Sequence, residues 1–403
     1  MIVIREFNQE RDCLQVEQVE RNCEVGSCGK MSLLTHMLGD PISRIRNSPT
    51  FLMLVAEMEV GAEKKIVGLI RGCIKTVTCG KKYSRIGKNG HDSNDSHHIC
   101  PVPIYTKLAY ILGLRVSPSH RRKGVGLKLV TQIESWFREN GAEYSYMATE
   151  SENEASVTLF TKKCGYAKFR TPSILVQPVF AHRVKISKKV SIFQLTPSQA
   201  EKFYRKNYST TEFFPRDIDS VLNNKLNLGT YAAVSSSKSW TDADQFLFDP
   251  SESWAILSIW NNKEVFKLEV CGAPLFKRAL AKTSRVMDGL FPWMGIPSVP
   301  NMFRPFGSHF LYGVGGNGPQ AVKFTKALCG FAHNLARKHG CSMVATEVAG
   351  QEPLRDGIPH WKRLSCEDLW CMKRLGEEYS DGSVGDWTKC PPGSSIFVDP
   401  REL

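Results

Sequence analysis

The chain has 403 residues, 42% of them hydrophobic and 23% charged, and a formal net charge of +13. The length is enough for two domains or three, and the composition excludes a disordered or collagen-like chain. The basic excess is spread along the sequence, so it favours an anionic partner without choosing among nucleic acid, a membrane surface and a phosphate-bearing cofactor.

Further sequence features narrow the function classes. No apolar stretch reaches the ~18 to 20 residues that cross a bilayer, and the N-terminus lacks the basic flank and apolar run of a signal peptide, so we expect a soluble intracellular protein without membrane attachment. No zinc-finger, basic-zipper or RNP-like pattern is present, so we expect no sequence-specific binding of nucleic acid. The 13 cysteines contain no CxxC pair and indicate reduced thiols. The motif His97-His98-Ile99-Cys100 has no matching second pair, so we predict no metal site.

Along the first part of the chain, apolar runs alternate with amphipathic and polar segments. Residues 2–5 are predicted to form a strand, and residues 8–21 a helix. Residues 51–57 and 66–77 are predicted to form a β-hairpin. Residues 79–103 are rich in Gly, Ser, Asn, His and Pro without periodicity, so a long exposed loop is expected there.

The next segment predicts a strand–helix–strand unit. Residues 108–116 are almost wholly apolar, which is typical of a strand buried on both faces. Apolar residues recur at helical spacing over 127–140, and Gly141 is a suitable C-terminal stop. The elements predicted after this helix are a strand over 144–149, a helix over 153–163 and a strand over 173–178.

The second half of the chain repeats parts of the first, which predicts an internal duplication. Tyr312-Gly313-Val314 and a helix ending at Gly340 echo Leu112-Gly113-Leu114 and the helix ending at Gly141. Residues 344–347 echo 147–150, and residues 395–400 echo 173–178, in the same order along the chain. We therefore predict two domains, residues 1–184 and 185–403.

The strongest sign of chemistry is the basic turn Arg121-Arg122-Lys123-Gly124-Val125-Gly126, between the apolar strand and its helix. The first turn of a helix leaves N–H groups unpaired and carries partial positive charge, so a glycine-rich entry lets a diphosphate approach the backbone. The spacing is neither GxGxxG nor a GK[ST] P-loop, which argues against a dinucleotide and a nucleoside triphosphate. Taken alone, an RxxGxG turn is more often a helix entry on a basic surface.

Residues 153–166, Asn-Glu-Ala-Ser-Val-Thr-Leu-Phe-Thr-Lys-Lys-Cys-Gly-Tyr, supply the context. With the preceding strand and basic turn, they resemble the signature motifs of the GNAT N-acetyltransferase superfamily, and this resemblance covers about residues 107–166. Three segments, 105–110, 209–219 and 384–389, are similar to the plant hookless-type N-acetyltransferases, and that resemblance runs nearly end to end. It implies a mixed α/β fold, in which a GNAT domain is followed by a second, degenerate GNAT-like domain.

The same resemblance implies acetyl-CoA as co-substrate, no metal, and a protein or peptide amine as acceptor, either a lysine or an N-terminus, with histones as the family-level example. It also implies a plant protein of hormone-responsive differential growth, linked to ethylene and auxin, in the nucleus, with the cytoplasm as the alternative. Its motif positions place main-chain contacts to the acetyl group at Leu114 and Val116. The further expected contacts to the cofactor are Arg115, Arg121, Arg122, Lys123, Gly124, Val125, Gly126, Asn153 and Phe160.

Two positions depart from the superfamily's pattern. Many members carry a glutamate base where this chain has Tyr110, and a tyrosine that protonates the leaving thiolate where this chain has Phe160. Without a base, a lysine of pKa ~10.4 needs ~4.6 kcal/mol to lose its proton at pH 7, whereas an α-amine needs ~1 kcal/mol. Glu150 is the alternative base, with Tyr110 positioning the amine. The competing interpretations are a solvated, helix-capping Glu150 and a Tyr110 that belongs to the core.

The corresponding turn of the second half, residues 313–319 (Gly-Val-Gly-Gly-Asn-Gly-Pro), contains no Arg or Lys, so we expect it to be empty. Two hypotheses follow for the whole protein. One is an acetyl-CoA-dependent N-acetyltransferase in which the amine attacks the thioester directly. The other is a non-catalytic regulator that binds acetyl-CoA, or only partner proteins, on the same scaffold, and the departures at Tyr110 and Phe160 favour it.

Overall fold

The computed structural model describes residues 2–23, 31–60, 63–83, 102–236, 246–247, 252–376 and 385–403. The strands in this part of the chain are Ile2–Glu6 (β1), Ser32–His36 (β2), Thr50–Val60 (β3), Glu63–Tyr83 (β4), Val102–Val116 (β5), Tyr144–Glu150 (β6), Ala167–Arg170 (β7), Ser173–Pro178 (β8), Val190–Leu195 (β9), Asn227–Ser235 (β10), Trp254–Asn261 (β11), Lys267–Cys271 (β12), Ser308–Asn317 (β13), Met343–Val348 (β14) and Cys366–Arg374 (β15). The helices are Gln9–Arg21 (α1), Val125–Glu139 (α2), Glu154–Thr158 (α3, continued by the π-helical segment Leu159–Lys163), Pro197–Tyr208 (α4), Ile218–Leu222 (α5), Leu275–Leu290 (α6) and Ala321–Lys338 (α7).

Most of the strands form one mixed sheet. Their order is β1-β3-β4-β5-β6-β15-β8-β14-β13-β11-β10-β9, with β7 paired to β15, and β2 and β12 form a separate pair. Neighbouring strands are antiparallel except at two places, β5–β6 and β13–β14, where they run parallel. Each parallel pair is joined by a helix, as parallel pairing requires. The predicted mixed α/β class is confirmed.

The two parallel pairs have the same construction, 200 residues apart. In the first, residues 108–111 pair with 144–147, and in the second, residues 308–311 pair with 343–346. Gly113 and Gly313 follow two residues after the last pair, with φ of 62° and 58°. The strand–helix–strand echo noted in the sequence is therefore also present in the backbone. The division into domains 1–184 and 185–403 stays a prediction.

The two halves exchange strands across the middle of the sheet. Strand β15 from the second half pairs antiparallel with β6 of the first, and β8 from the first half pairs antiparallel with β14 of the second. The predicted echo of residues 173–178 by 395–400 is wrong for the strands, because Ile396 makes only an isolated bridge to Glu212. The exchange brings a second-half strand to the edge of β6.

Two predicted boundaries change in the first half. Strand β4 runs on to Tyr83 and β5 begins at Val102, so both ends of the loop predicted for 79–103 are strand. The rest of that loop, with His97-His98-Ile99-Cys100, lies outside the described residues. The sequence analysis did not predict strand β2. Its residues, Ser-Leu-Leu-Thr-His, show no alternation of apolar and polar side chains, and all five are half-buried in the structure.

Helices α2 and α7 cover one face of the sheet, and a largely aromatic core with helices α1, α4 and α5 covers the other. Helix α2 packs Leu129, Ile133 and Phe137 on the strands of the first half, where all three are fully buried. Burial of such a side chain contributes about 1.5–3 kcal/mol. Helix α7 packs in the same way on the second half, and the opposite face carries a core that extends through both halves. None of the helices in the described ranges is long and apolar enough to span a membrane.

Candidate active site

Strands β5 and β6 part from each other halfway along and leave a cleft between their C-terminal ends. Their pairing ends at Ile111 and Met147, whereas the strands continue to Val116 and Glu150. Main-chain groups that point into such an opening have no ladder partner in the sheet, so they are available to a ligand. The cleft is therefore the place from which to build the site.

The main-chain N–H groups of Leu114 and Val116 face this cleft. Ser117 donates its N–H to the carbonyl of Val67 in β4 at 2.8 Å. Because successive N–H groups of a strand point to opposite sides, those of residues 114 and 116 point away from β4, toward the opening beside β6. This position suits the main-chain contacts predicted for the two residues.

A bulge at Gly113 sets the direction of the strand end. Its φ of 62° lies in the left-handed region, and a Cβ there would lie 2.8 Å from Nη1 of the buried Arg71, so glycine is required. Arg115 turns its side chain toward α1, and its contact with the cofactor stays a prediction. Its guanidinium lies 3.4 Å from Glu20 on α1, and its N–H is on the β4 side of the strand.

Helix α2 begins at the mouth of the cleft without a capping side chain. Its N-cap is Gly124, with a φ of 79°, and the carbonyl of Gly124 accepts a hydrogen bond from the N–H of Lys128. The N–H groups of the first turn therefore have no helical partner, and the helix dipole adds partial positive charge. Among described atoms, none lies within 4 Å of a Cβ built at Gly124, so an anion has an open approach.

The residues before Gly124 add three exposed cations to this helix end. Arg121 donates from Nε to the carbonyl of Val116 at 3.2 Å, which ties the turn to the edge of the cleft. Arg122 has a φ of 62°, which is uncommon for a residue other than glycine. Lys123 follows, exposed like the two arginines. Backbone N–H groups and cations together are the donors that bind phosphate groups.

Gly126 lines the narrow part of the cleft. A Cβ at Gly126 would lie 3.4 Å from Leu159, 3.8 Å from Val116 and 3.9 Å from Leu114. Helix α2, strand β5 and the segment after β6 therefore meet around this glycine, and a larger side chain would fill the space between them. The side chain of Val125 is buried in the core, so only the main chain of that residue can contact a ligand.

Asn153 and Phe160, both predicted to contact the cofactor, differ in position. Asn153 is exposed and caps α3, accepting the N–H of Ser156 at 3.2 Å on Oδ1, which leaves its NH₂ group as a donor. Phe160 is 1% exposed and packs edge-on against Tyr166, with ring centres 5.2 Å apart. The structure thus places Phe160 in the core, contrary to the prediction, and Leu159 beside the cleft instead.

Tyr110 lies in the aromatic core on the face of the sheet opposite α2. Its ring stacks on Tyr146 with centres 4.5 Å apart. Burial raises the pKa of Tyr110 well above its usual value near 10, so the phenol is neutral at physiological pH and can donate a hydrogen bond. This placement fits both interpretations from the sequence, a core residue and a group that positions the amine.

Glu150, at the end of β6, lies opposite the carboxylate Asp368, and Asp368 is near a third carboxylate, Glu347; sequence reasoning missed both. The direct partner of Glu150 across the β6–β15 ladder is Asp368, and Glu347 of β14 accepts a hydrogen bond from Nε1 of Trp370 at 2.9 Å. The available signal was the echo of 147–150 by 344–347, which repeats the glutamate at 347. Asp368 had no signal, because β15 joins β6 only in the folded chain. Within the described residues, no group of three His, Cys, Asp or Glu side chains is arranged to hold a metal ion.

The matching helix end of the second half is filled by the protein itself. A Cβ at Gly318 would lie 2.0 Å from the carbonyl oxygen of Glu252. The N–H of Gln320, the N-cap of α7, donates to Oγ of Ser253 at 3.3 Å. On the strand, a Cβ at Gly315 would lie 1.6 Å from the hydroxyl of Tyr208. The second unit therefore has no open approach comparable to that at Gly124.

Known proteins resemble the chain in sequence and in fold. Residues 35–166 match the model of the acetyltransferase (GNAT) family. The chain is 62% identical to "Probable N-acetyltransferase HLS1" of Arabidopsis thaliana, with all of both chains covered, and 61% identical to "Probable N-acetyltransferase HLS1-like" of the same plant, with 100% of this chain and 99% of the relative covered. The solved N-myristoyltransferase of Saccharomyces cerevisiae with bound myristoyl-CoA has a similar fold, at a TM-score of 0.51 and 10% identity, covering 93% of this chain and 79% of that one.

Proposed function

The chain belongs to the GNAT family of N-acetyltransferases, and we propose that it transfers the acetyl group of acetyl-CoA to an amine of a protein or peptide. The observation that supports this most directly is the open end of α2 beside the parted strands β5 and β6. One cleft there combines unpaired N–H groups, three cations and free main chain on the strand. These are the groups that a pyrophosphate and a thioester carbonyl require.

In this proposal the pyrophosphate of the coenzyme lies on the first turn of α2. The N–H groups from Gly124 onward donate to its oxygens, and Arg121, Arg122 and Lys123 neutralise its charge. The coenzyme's pantetheine arm then runs past Gly126 into the cleft, where Asn153 has an amide donor at the surface. The direction of the arm places the thioester between the ends of β5 and β6.

The transfer itself is a direct attack of the amine on the thioester carbonyl. The N–H groups of Leu114 and Val116 donate to the carbonyl oxygen and stabilise the negative charge that develops on it. A thiol with a pKa near the ~8.5 of cysteine leaves as an unprotonated thiolate at a cost of only about 2 kcal/mol at pH 7. An acid at position 160 is therefore dispensable, which agrees with the buried Phe160.

The proton of the amine is the harder problem. Tyr110 stands on β5 where a carboxylate base is common in the family, and its raised pKa suits it to orient an amine rather than to deprotonate one. Glu150 is the carboxylate of β6 nearest the end of the cleft, and we propose that it receives the proton directly or through one water molecule. The side chain is half-buried, which allows both routes.

The test is acetyl transfer by the purified protein to lysine peptides and to peptides with free N-termini, followed by release of the coenzyme thiol. Glu150→Gln is expected to lower kcat about 10- to 100-fold with an unchanged Kd for acetyl-CoA, because the glutamate does not touch the pyrophosphate site. Glu154→Gln, on the exposed first turn of α3, is the matched control. Equal rates for the wild type and Glu150→Gln would remove Glu150 from the mechanism.

A non-catalytic regulator is the second candidate, and the absence of a carboxylate at position 110 favours it. The same assay separates the two. Binding of acetyl-CoA without thiol release, for every amine acceptor, would identify a regulator. We also propose, from the resemblance of the whole chain to plant hookless-type proteins, a nuclear protein of hormone-responsive growth, and a fluorescent fusion expressed in plant cells tests the location.

A further inference from the structure

Resting on the proposed function, we propose that Asp368, on the exchanged strand β15, holds the proton that Glu150 takes from the substrate's ammonium group. Glu150 and Glu347 flank Asp368 and make this end of the cleft a site for a cationic amine. The group that finally holds the proton would then come from the second half of the chain, although the coenzyme binds to the first half.

The ladder between β6 and β15 places Asp368 at the cleft. Asp368 pairs directly with Glu150, and Trp370, two residues later on β15, pairs with Ala148. Directly opposed residues of an antiparallel pair share a face of the sheet and have Cβ atoms about 4.5–5.5 Å apart. The shared face is the one that carries Tyr110 and Tyr146, opposite helix α2.

Strands β5 and β6 both continue past the point where they part. Glu150 is three residues beyond Met147, the last paired residue of β6, and Leu114 is three residues beyond Ile111. At about 3.3 Å per residue, Glu150 lies about 10 Å beyond that point, and the bulge at Gly113 shortens the advance of Leu114. An amine beside Glu150 therefore lies across the cleft from a thioester whose oxygen is held at Leu114, and Asp368 lies one strand farther from β5.

Asp368 is nine-tenths buried, yet its carboxylate has no hydrogen-bond donor and no cation among the described residues. Its exposed fraction is 9%, and its main-chain N–H donates to Pro172. Most of the other buried carboxylates in the described ranges are paired with a basic side chain, and the exceptions are Glu347 and Glu352. The pairs are Asp12–Arg5, Glu20–Arg71, Glu134–Lys373, Glu212–Arg170, Asp288–His182, Asp399–Arg401 and Glu402–Lys75.

An unpaired buried carboxylate is costly, and a second and third carboxylate nearby increase the cost. Burial, followed by the charge of Glu150, raises the pKa of Asp368 to about 6. Burial, followed by the charge of Asp368, raises the pKa of Glu347 well above its usual value. Among the described residues, the charge of Asp368 also acts on Cys366 of the same strand and on Tyr110 of β5. An ammonium group has the charge that balances such carboxylates, and an acceptor amine brings one.

A base with a pKa just below the working pH is ionised and still accepts a proton readily. Glu150 takes one proton from the ammonium group and passes it to Asp368, and the amine nitrogen forms a bond to the carbonyl carbon of the thioester. The bond from carbon to sulfur breaks, the second proton of the nitrogen goes with the sulfur as the thiol, and Asp368 returns its proton to solvent. The balance is one amide, one thiol and one released proton.

The experiment compares the wild type, Asp368→Asn and Asp368→Glu, with Glu367→Gln as matched control because Glu367 is the exposed neighbour on the same strand. For a lysine peptide, Asp368→Asn is expected to lower kcat at least 30-fold and to abolish the limb of the kcat profile near pH 6, with Kd for acetyl-CoA within twofold. Asp368→Glu should restore part of kcat and a pH-dependent limb of the kcat profile.

If Asp368→Asn kept the kcat of the wild type and the limb near pH 6, the proposal would be overturned while the proposed function stands. A parallel loss of acetyl-CoA affinity would also overturn it, because it would assign Asp368 a structural role.

A second readout does not depend on turnover. Burial, followed by the charges of Asp368, Glu150 and Glu347, raises the pKa of the Cys366 thiol to about 12. Removal of the charge at 368 therefore speeds alkylation of Cys366 by iodoacetamide at pH 8, by an expected threefold or more, measured on the Cys366 peptide by mass spectrometry. An unchanged rate would overturn the placement of the carboxylate. Absence of transfer to every amine by the wild type would instead overturn the proposed function.

Discussion

The two strand–helix–strand units of this chain share a backbone and differ in what occupies it. Gly113 and Gly313 produce the same bulge, and each parallel pair ends at the same place relative to it. The helix end at Gly124 is open, whereas the one at Gly318 lies against the main chain of Glu252. A parted strand pair and a helix N-terminus are therefore not sufficient for a coenzyme site.

What distinguishes the units is local composition and packing. The segment before α2 contains the three cations Arg121, Arg122 and Lys123. The corresponding segment before α7, residues 313–319, contains no Arg or Lys. In the second unit, Ser253 accepts the N–H of Gln320, and the hydroxyl of Tyr204 donates to the carbonyl of Gly313 at 3.2 Å. Groups that a ligand would satisfy in the first unit are satisfied by the protein in the second. In our proposal the second unit contributes to the site in another way, through β15 and Asp368.

The largest effect is expected from a side chain at Gly126. Gly126→Leu fills the space beside Leu159 and should weaken acetyl-CoA binding more than 100-fold, or about 2.8 kcal/mol. Calorimetric titration with acetyl-CoA measures it, and circular dichroism verifies the fold. The control is Val322→Leu, at the corresponding second position of α7, which should bind as the wild type does. Equal losses in the two variants would mean that the second unit also binds coenzyme.

Neutralising Asp368 should stabilise the folded protein. Its pKa is raised to about 6, so the stability associated with this group is complete below pH ~3.9 and is lost as the pH rises through about 6. The free energy of unfolding of Asp368→Asn should therefore exceed that of the wild type by about 2 kcal/mol at pH 7.5, and the difference should vanish near pH 4. Urea denaturation at several pH values measures it.

Neutralising Asp399 should have the opposite effect on stability. Burial alone would raise the pKa of Asp399, but Arg401 and Lys75 outweigh it and lower the pKa below the usual range. Stability from this group is present above pH ~3.9 and is lost as the pH falls. Asp399→Asn should therefore destabilise the protein at pH 7.5. A destabilised Asp368→Asn would contradict the unpaired state of that carboxylate.

The cations of the first turn should have a smaller, salt-dependent effect. Arg121→Ala combined with Lys123→Ala is expected to weaken acetyl-CoA binding about 10-fold at low salt and less at 0.5 M salt, because exposed charges are screened. The matched control is Lys323→Ala with Lys326→Ala, which removes two exposed charges from the first turns of α7. An equal loss in the control would indicate a general field effect rather than contact.

The smallest effect is expected where the second unit is closed. Ser253→Ala removes the acceptor for the N–H of Gln320 and should lower the free energy of unfolding by about 1 kcal/mol. Affinity for acetyl-CoA should stay within twofold, since Gly318 remains covered by the main chain. Urea denaturation and titration measure the two quantities. A second binding event in Ser253→Ala would show that the serine alone keeps the second unit empty.

Much of the first half followed from local patterns. Helix α1 was predicted within one residue, and Asn8 caps it by accepting the N–H groups of Glu10 and Arg11. The glycine-rich basic turn was predicted at a helix N-terminus and lies there. Such features depend on residues a few positions apart, so periodicity and capping chemistry are enough to find them.

Orientation within the site was harder to predict. Arg115 and Phe160 belong to the right segments, but one turns to Glu20 on α1 and the other packs into the core. Which side of a strand or helix a side chain occupies changes with a single bulge or π turn, and the motif spacing alone does not reveal either.

The linear chain was sufficient for the class of fold, for the place of the glycine-rich basic turn at the start of α2 and for the repeat of the strand–helix–strand unit, because each depends on short-range spacing. Folding alone decided that β15 crosses to β6, that Asp368 and Glu347 join Glu150, and that the second helix end is closed. The physical reason is that strand pairing and the burial of charge depend on contacts between residues some 200 positions apart. No local pattern records which edge of the sheet such a strand will join, or which carboxylate will be left without a cation.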